Sequence, residues 1–234
     1  MFKFLRMPFG LKGAPSTFQA FAEEVLEGIP NVYVYLDDLL VYTDTHEEHQ
    51  KIVRQIFQRF SKYGLALALA KCQFAQKQVE FLGYHISYNG IKPLPNKIQG
   101  IQDYPEPTTQ KQLLRFLGML NYYRKTLPNL PKPGRKPVTP AEVLQDLYTA
   151  ATLKMPKNKF ETYWTENNLC QNFRDAKQLL LNCTTLSFPD PKNPLALSCD
   201  ASDKSIGGVL EEFQDGQWRP IGYYSKHLPK SKQS

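Results

Sequence analysis

Cysteine is scarce. The four present among 234 residues (Cys72, Cys170, Cys183, Cys199) are widely spaced, with no Cys-x-x-Cys. That argues against a disulfide scaffold or a zinc knuckle and fits reduced thiols in an intracellular setting. No apolar run approaches the roughly 18–20 residues of a membrane span, so no transmembrane helix and no membrane partner are expected. The opening, Met1-Phe-Lys-Phe-Leu-Arg-Met-Pro, lacks a basic stretch followed by an apolar core, so it does not read as a signal peptide. Gly10-x-x-Gly13 lacks the Gly-Lys-Ser/Thr ending of a phosphate loop. His46 and His49 have no nearby Cys or His to complete a metal site and read as solvated.

What is present is an ordinary globular balance, 41% hydrophobic and 22% charged, which excludes collagen, coiled coil and wholesale disorder. Charge is unevenly placed within a net +7: residues 1–50 carry 3 basic and 8 acidic groups, residues 51–130 carry 12 and 3, and residues 131–234 carry 14 and 11. A basic stretch beside an acidic one suggests a polyanion along one region and a cation site in another; solvated surfaces would give the same count.

Apolar spacing predicts an early helix carrying Phe18, Phe21, Val25 and Leu26, with Pro15 in its first turn and Gly28 and Pro30 at its end. Val32–Tyr35 and Leu39–Tyr42 read as strands joined by a tight hairpin at Leu36-Asp37-Asp38. Thr45-x-x-Glu48 is a capping box; the helix it opens should bury Ile52, Val53, Ile56, Phe57 and Phe60 and stop at Gly64. Strands are expected near 65–69 and 79–87, with a turn at Asn89-Gly90. A helix capped by Thr109-x-x-Gln112 points Leu113, Phe116, Leu117 and Leu120 inward. Proline-rich 128–140 reads as a linker, followed by helices near 140–153 and 165–182 and strands from Leu195 onward.

Asp37-Asp38 is the most informative pair. Two adjacent carboxylates at ~5 Å repel by about 1 kcal/mol in water and by more in protein. Hairpin tips prefer Asn-Gly or Asp-Gly, so the second Asp is not explained by turn geometry. A hard divalent cation would relieve the repulsion, since Mg²⁺ takes one or two protein carboxylates and completes its shell with water and phosphate oxygens.

Context sharpens this. Tyr35-Leu36-Asp37-Asp38 resembles the Tyr-x-Asp-Asp box of reverse transcriptases. Arg6-Met-Pro-Phe-Gly-Leu-Lys-Gly-Ala-Pro-Ser-Thr-Phe-Gln19 resembles that family's motif B in the form found in gypsy-type (Metaviridae) LTR retroelements. Gly64-Leu65 through Lys71-Cys72-Gln73-Phe74 is similar to motif D, and Val79–Ser87 to the primer-grip hairpin. Phe116-Leu-Gly-Met-Leu-Asn-Tyr-Tyr-Arg124 is similar to the thumb signature. Leu197-Ser-Cys-Asp200-Ala-Ser with Gly207-Gly208-Val209-Leu210 resembles the first strands of a tethered RNase H-like domain.

The resemblance implies an α+β fold: a partial palm over 1–91, thumb helices over 92–130, a linker or connection over 131–190, and the start of an RNase H-like domain over 191–234. It implies that Asp37 holds the catalytic metal, with Asp38 in the same acidic cluster, and that Lys71 lies near the triphosphate. Phe9, Gly10 and Tyr35 would meet the incoming nucleotide. Phe81, Leu82, Gly83 and Tyr84 would hold the primer's 3′ end; Lys97, Arg115, Tyr122 and Arg124 would grip the hybrid; Asp200 would be a metal ligand of the RNase H-like part. Mg²⁺, or Mn²⁺ in its place, is the implied cofactor. The implied partners are an RNA or DNA template with primer, deoxynucleoside triphosphates and the remainder of a Pol polyprotein, in a cytoplasmic particle or the nucleus. The family's motif A Asp and fingers are missing upstream of motif B. The chain therefore reads as a polyprotein fragment, expected to be inactive alone. The rival reading is a non-enzymatic remnant that binds nucleic acid or a partner.

Overall fold

Pro15 stands in the first turn of helix α1 (Ala14–Leu26), where its missing N–H leaves no carbonyl unpaired. The helix buries Ala22, Val25 and Leu26, while Phe18 and Phe21 stay half-buried. Strands β1 (Val32–Tyr35) and β2 (Asp38–Val41) pair antiparallel, Val34 opposite Leu39 and Val32 opposite Val41. Strict alternation then separates two faces. Val32, Val34, Leu39 and Val41 pack against Leu26, Ile52 and Ile56, and Tyr33 and Tyr35 face out.

Helix α2 (His46–Tyr63) starts on the N-cap half of the expected capping box: Thr45 Oγ1 accepts from the Glu48 N–H at 3.2 Å, while the Glu48 carboxylate accepts from the Asn31 amide at 3.1 Å, and Gly64, at φ 71°, ends the helix. Its buried stripe is narrower than the spacing suggests. Phe57 is 40% exposed and meets Phe74 edge-on at 6.2 Å instead of entering the core. The strand expected near 65–69 does not form; the segment ends in a 3-10 turn, Leu69–Lys71. Its Leu/Ala alternation has the strand period, yet no strand pairs with it among the described residues.

This computed structural model describes residues 7, 8 and 10–229, which fall into two units divided between Lys77 and Gln78. The second unit opens with a three-stranded antiparallel meander, β3 (Gln78–Phe81), β4 (Tyr84–Ser87) and β5 (Gly90–Pro93). The expected strand over 79–87 is thus a hairpin turned at Leu82-Gly83. The next turn is Tyr88-Asn89, one residue earlier than expected. Gly90 is already in the strand, and a Cβ there would sit 2.0 Å from the Leu186 carbonyl oxygen.

Helices α3 (Pro95–Gln102) and α4 (Gln110–Tyr122) follow, the latter capped by Thr109 Oγ1, which accepts from the Gln112 N–H at 3.2 Å. Leu113, Phe116, Leu117 and Leu120 face inward as expected. The proline-rich stretch is no free linker. It folds as a hairpin, β6 (Leu130–Lys132) with β7 (Arg135–Val138), and buries Leu130 in the core. A two-stranded ribbon tolerates proline because each strand has an edge that needs no N–H. After α5 (Pro140–Thr152), the helix expected over 165–182 is two, α6 (Phe160–Glu166) and α7 (Leu169–Leu181), broken where Asn168 takes φ 50°.

The main core lies among α4, α5, α6 and α7, with the Phe116 and Phe173 rings 4.5 Å apart. The last sheet is β8 (Leu195–Ala201), β9 (Ser205–Gln214) and β10 (Gln217–His227), antiparallel in that order. Leu186 ties it to the first sheet of this unit: Leu186 and Ile91 exchange backbone hydrogen bonds at 2.8 and 2.9 Å, and the Ser187 N–H donates to the Pro220 carbonyl at 2.8 Å. The fold is α+β, and no helix among the described residues is long and apolar enough to cross a membrane.

Candidate functional site

The β1–β2 register fixes the acidic pair. Tyr35 pairs with Asp38, so Leu36 and Asp37 are the two loop residues, and both carboxylates are exposed. Asp38 shares the outward face of the hairpin with Tyr35 and Tyr33, since cross-strand partners lie on one face. Leu36 has φ 50°, a left-handed conformation that disfavours leucine by about 1–2 kcal/mol. A side chain from α1 holds it there. Gln19 Oε1 accepts from the Leu36 N–H at 2.6 Å, and Gln19 Nε2 donates to the Val34 carbonyl at 3.0 Å. Gln19 is not among the expected site residues. Its signal in the sequence is only its place at the end of motif B.

Of the other first-unit residues, Gly10 has φ 86° and open space around it, which fits a position reserved for close backbone approach. Lys71 is exposed at the end of the 3-10 turn, whose geometry is set by the Lys71 N–H donating to the Ala68 carbonyl at 2.8 Å. Phe9 lies outside the described residues.

In the second unit, Phe81, Leu82, Gly83 and Tyr84 form a tight two-residue loop with Phe81 paired to Tyr84. Leu82 and Gly83 take φ 45° and 79°, the two positive values of a type I′ loop. Asn-Gly satisfies that loop unaided; leucine in its first place does not. Support comes from the end of α4. The Tyr122 hydroxyl donates to the Leu82 carbonyl, and the Tyr123 hydroxyl donates to the Gly83 carbonyl at 3.3 Å. The Tyr84 hydroxyl donates to the Tyr122 carbonyl at 3.0 Å. The three rings lie with centroids 5.0 to 5.6 Å apart. Burial, then the neighbouring Tyr122 and Tyr123 and the Cys183 thiol, push the Tyr84 hydroxyl well above the usual phenol range. Tyr123 is raised the same way, by burial first.

Arg115 and Tyr122 are exposed on one face of α4, seven positions apart, with Lys111 and Gly118 on the same stripe; Lys97 is exposed on α3. Arg124 is half-buried, and its Nη2 donates to the Ser225 carbonyl of β10 at 2.9 Å. Asp200 is exposed on β8 opposite Gly207. The acidic residues that follow it in sequence disperse. Glu212 is buried and accepts from the Asp190 N–H and the Asn193 amide, and Asp215 pairs with Arg219 at 3.0 Å.

Among the described residues no three of His, Cys, Asp and Glu converge as a metal-holding group. Asp37 and Asp38, adjacent and exposed, fit the one or two carboxylates that Mg²⁺ takes when phosphates and water supply the rest. Reverse transcriptases as a family are generally divalent-metal dependent.

Comparison with known proteins bears on the family and the fold. Residues 1–86 match the family model described as reverse transcriptase (RNA-dependent DNA polymerase), and residues 164–234 match the RNase H-like domain found in reverse transcriptase. The whole chain is 39% identical to part of the retrovirus-related Pol polyprotein from transposon opus of Drosophila melanogaster, of which it covers 23%. Over 97% of its length it is 35% identical to the Pol polyprotein from transposon 297 of the same organism, covering 20% of it. Over 99% of its length it is 32% identical to the transposon Tf2-3 polyprotein of Schizosaccharomyces pombe, covering 16%. The chain thus spans a quarter or less of the curated relatives it matches. Two solved structures superpose on 97% of it: a foamy viral protease-reverse transcriptase with double-stranded DNA (TM-score 0.77, 27% identity, 37% of that chain) and the enzyme with RNA/DNA hybrid (TM-score 0.74, 26% identity, 29% of that chain).

Proposed function

Since the chain belongs to the reverse transcriptase family found in Pol polyproteins of gypsy-type LTR retrotransposons, we propose that it serves RNA-directed DNA polymerisation, as the stretch from palm to RNase H-like domain of a longer Pol polyprotein. In this reading residues 1–91 are palm, 92–130 thumb, 131–190 connection and 191–234 the RNase H-like start. The observation that carries it is the exposed Asp37-Asp38 loop, hydrogen-bonded from Gln19 of α1.

Asp37 and Asp38 would hold Mg²⁺, or Mn²⁺ in its place. When bound, the metal supplies charge neutralisation at the attacking and leaving oxygens of phosphoryl transfer. The chain's own residues do the positioning. Gly10, with Tyr35 and Phe9, lets a deoxynucleoside triphosphate approach the palm, and Lys71 offers a positive charge to its phosphates. The Phe81–Tyr84 hairpin aligns the primer's 3′ end. The Lys97, Arg115, Tyr122 and Arg124 group meets the backbone of an A-like template–primer duplex, recognising shape rather than sequence. No third carboxylate joins the Asp pair among the described residues. Completion of the metal site is therefore assigned to sequence of the longer protein, and the chain by itself to an inactive part. Asp200 would join metal ligands of the RNase H-like domain in the same way. The site of action is intracellular.

A chimaera tests this, with the 234 residues replacing the matching segment of the transposon opus polyprotein's reverse transcriptase. Metal-dependent primer extension is expected. Asp37→Asn keeps the shape and removes one charge, so extension should fall by at least roughly 100-fold while hybrid affinity stays within about twofold. Near-normal extension by the variant would overturn the assignment. Hybrid binding by a chimaera that never extends a primer would favour the binding-only remnant.

A further inference from the structure

The tyrosines at the end of α4 do something that neither their exposure nor the family comparison assigns. Tyr122 is half exposed on the same stripe of α4 as Arg115, as a nucleic-acid contact should be, yet its hydroxyl is engaged by the Leu82 carbonyl. Tyr123 is 5% exposed, and its hydroxyl is engaged by the next carbonyl, that of Gly83. Both consecutive carbonyls of the β3–β4 loop therefore accept from consecutive residues of one helix end. The Leu94 N–H adds a second donor to the Gly83 carbonyl at 3.0 Å. The contact is reciprocal, since the Tyr84 hydroxyl reaches back to the Tyr122 carbonyl. Space is as tight as the bonding. A Cβ on Gly83 would lie 2.9 Å from the Tyr123 hydroxyl oxygen, so the glycine is required both by its φ of 79° and by this neighbour. Leu82, at φ 45°, is the residue that a free type I′ loop would not choose.

We infer that Tyr122 and Tyr123 are positioning residues for the Leu82-Gly83 turn: their hydroxyls hold it in its left-handed conformation and make the hairpin and the C-terminal end of α4 one rigid piece. The geometric part rests on the contacts above. The consequence for polymerisation, that the turn presents the primer terminus only while clamped, rests on the function proposed for the chain.

The test exploits the turn's own sequence. Leu82→Asn creates the Asn-Gly pair that adopts this loop without help. If the tyrosines act by holding the turn, their effect should shrink in that background; if they act by touching nucleic acid, it should not. In the 234-residue chain, Tyr122→Phe with Tyr123→Phe should speed exchange of the Tyr84 amide about tenfold, the loss expected for two hydroxyl hydrogen bonds. With Leu82→Asn present the same pair should speed it by about twofold or less. The Leu117 and Leu120 amides of α4 should be unchanged. If they too loosen, the single Tyr→Phe variants are measured, where the same dependence on Leu82→Asn must hold. In the opus chimaera the double variant should slow primer extension about tenfold, and by about twofold or less with Leu82→Asn present. Unchanged Tyr84 exchange, or a loss of hybrid affinity that Leu82→Asn does not relieve, would overturn the inference. A chimaera that fails to extend primers at all would count against the function and leave the exchange result to decide the clamp.

Discussion

At the scale of single residues, two leucines stand in turns to which they are poorly suited, and both turns belong to the proposed site. Leu36 and Leu82 both have positive φ, and each is held by a side chain from another element. Neither is legible in the sequence, because backbone strain leaves no periodicity and the supporting partner is distant in the chain. Asp37-Asp38 is legible because adjacent carboxylates are unfavourable and demand a reason. Gln19 makes the first-unit case testable. Gln19→Leu removes both hydrogen bonds to the loop, together with the exposed one from Gln19 Nε2 to Glu23 Oε1 at 2.7 Å, so the Leu36 amide should exchange about tenfold faster and stability should fall by about 1–2 kcal/mol. Measuring Leu36 exchange by NMR checks it, and unchanged protection would mean that the loop holds itself.

Glu106 is a second residue-scale case. The Cys170 thiol donates to its Oε1 at 2.7 Å and the Trp164 indole at 2.5 Å, and these bonds, the thiol's first, hold its carboxyl below the usual carboxylate range. A carboxylate whose folded pKa is lowered stabilises the fold above its unfolded pKa, and that contribution is lost as pH falls through the lowered value. Urea midpoints should therefore drop between pH about 5 and 3, and Glu106→Gln should drop less over that window. Equal slopes for the two proteins would show that the bonds do not favour the charged form.

At the scale of elements, caps and alternation are readable in the sequence, and breaks are not. Thr45 and Thr109 cap their helices as the Thr-x-x-Glu and Thr-x-x-Gln spacings suggest, because the cap is a local bond to the N–H three residues on; the Glu48 and Gln112 side chains bond Asn31 and Thr108 instead. Phe57 escapes the core because the first unit offers only a narrow buried stripe of Leu26, Ile52 and Ile56, too small to cover every apolar residue of α2. The hairpin at 130–138 is hidden by its prolines, which suggest a linker unless the edges are known to be free. On α4 the informative residue is Gly118. It is exposed, in mid-helix, and a Cβ added there would meet nothing within 4 Å, so neither packing nor φ asks for glycine. It lies on the stripe of Lys111, Arg115 and Tyr122, where a duplex backbone would approach. Gly118→Ala should stabilise the fold by about 0.5–1 kcal/mol and weaken hybrid binding. Thermal melts and a binding titration check the pair of effects, and gain of stability without loss of affinity would leave the glycine unexplained by a close ligand.

At the scale of the whole molecule, the uneven placing of charge is the property to account for. Residues 51–130 carry 12 basic and 3 acidic groups, an excess that acidic neighbours in the same stretch cannot balance. Among the described residues, ion pairs join Lys132 with Asp175 and Arg219 with Asp215, both outside that stretch. Lys97, Lys111 and Arg115 stand exposed on α3 and α4. A protein that neutralises phosphates releases condensed counterions, and its affinity falls with salt in proportion to the number neutralised. For three phosphate contacts, taking the double-helix slope, hybrid binding should weaken about 40-fold between roughly 50 and 200 mM salt. Neutralising one of them, as in Arg115→Gln, should reduce the logarithmic slope by about one while weakening binding to all sequences alike. Fluorescence anisotropy with labelled RNA–DNA hybrids of two unrelated sequences measures both quantities. A slope near zero would mean that the basic stretch only solvates the surface, and a slope kept by Arg115→Gln would move the contact off α4.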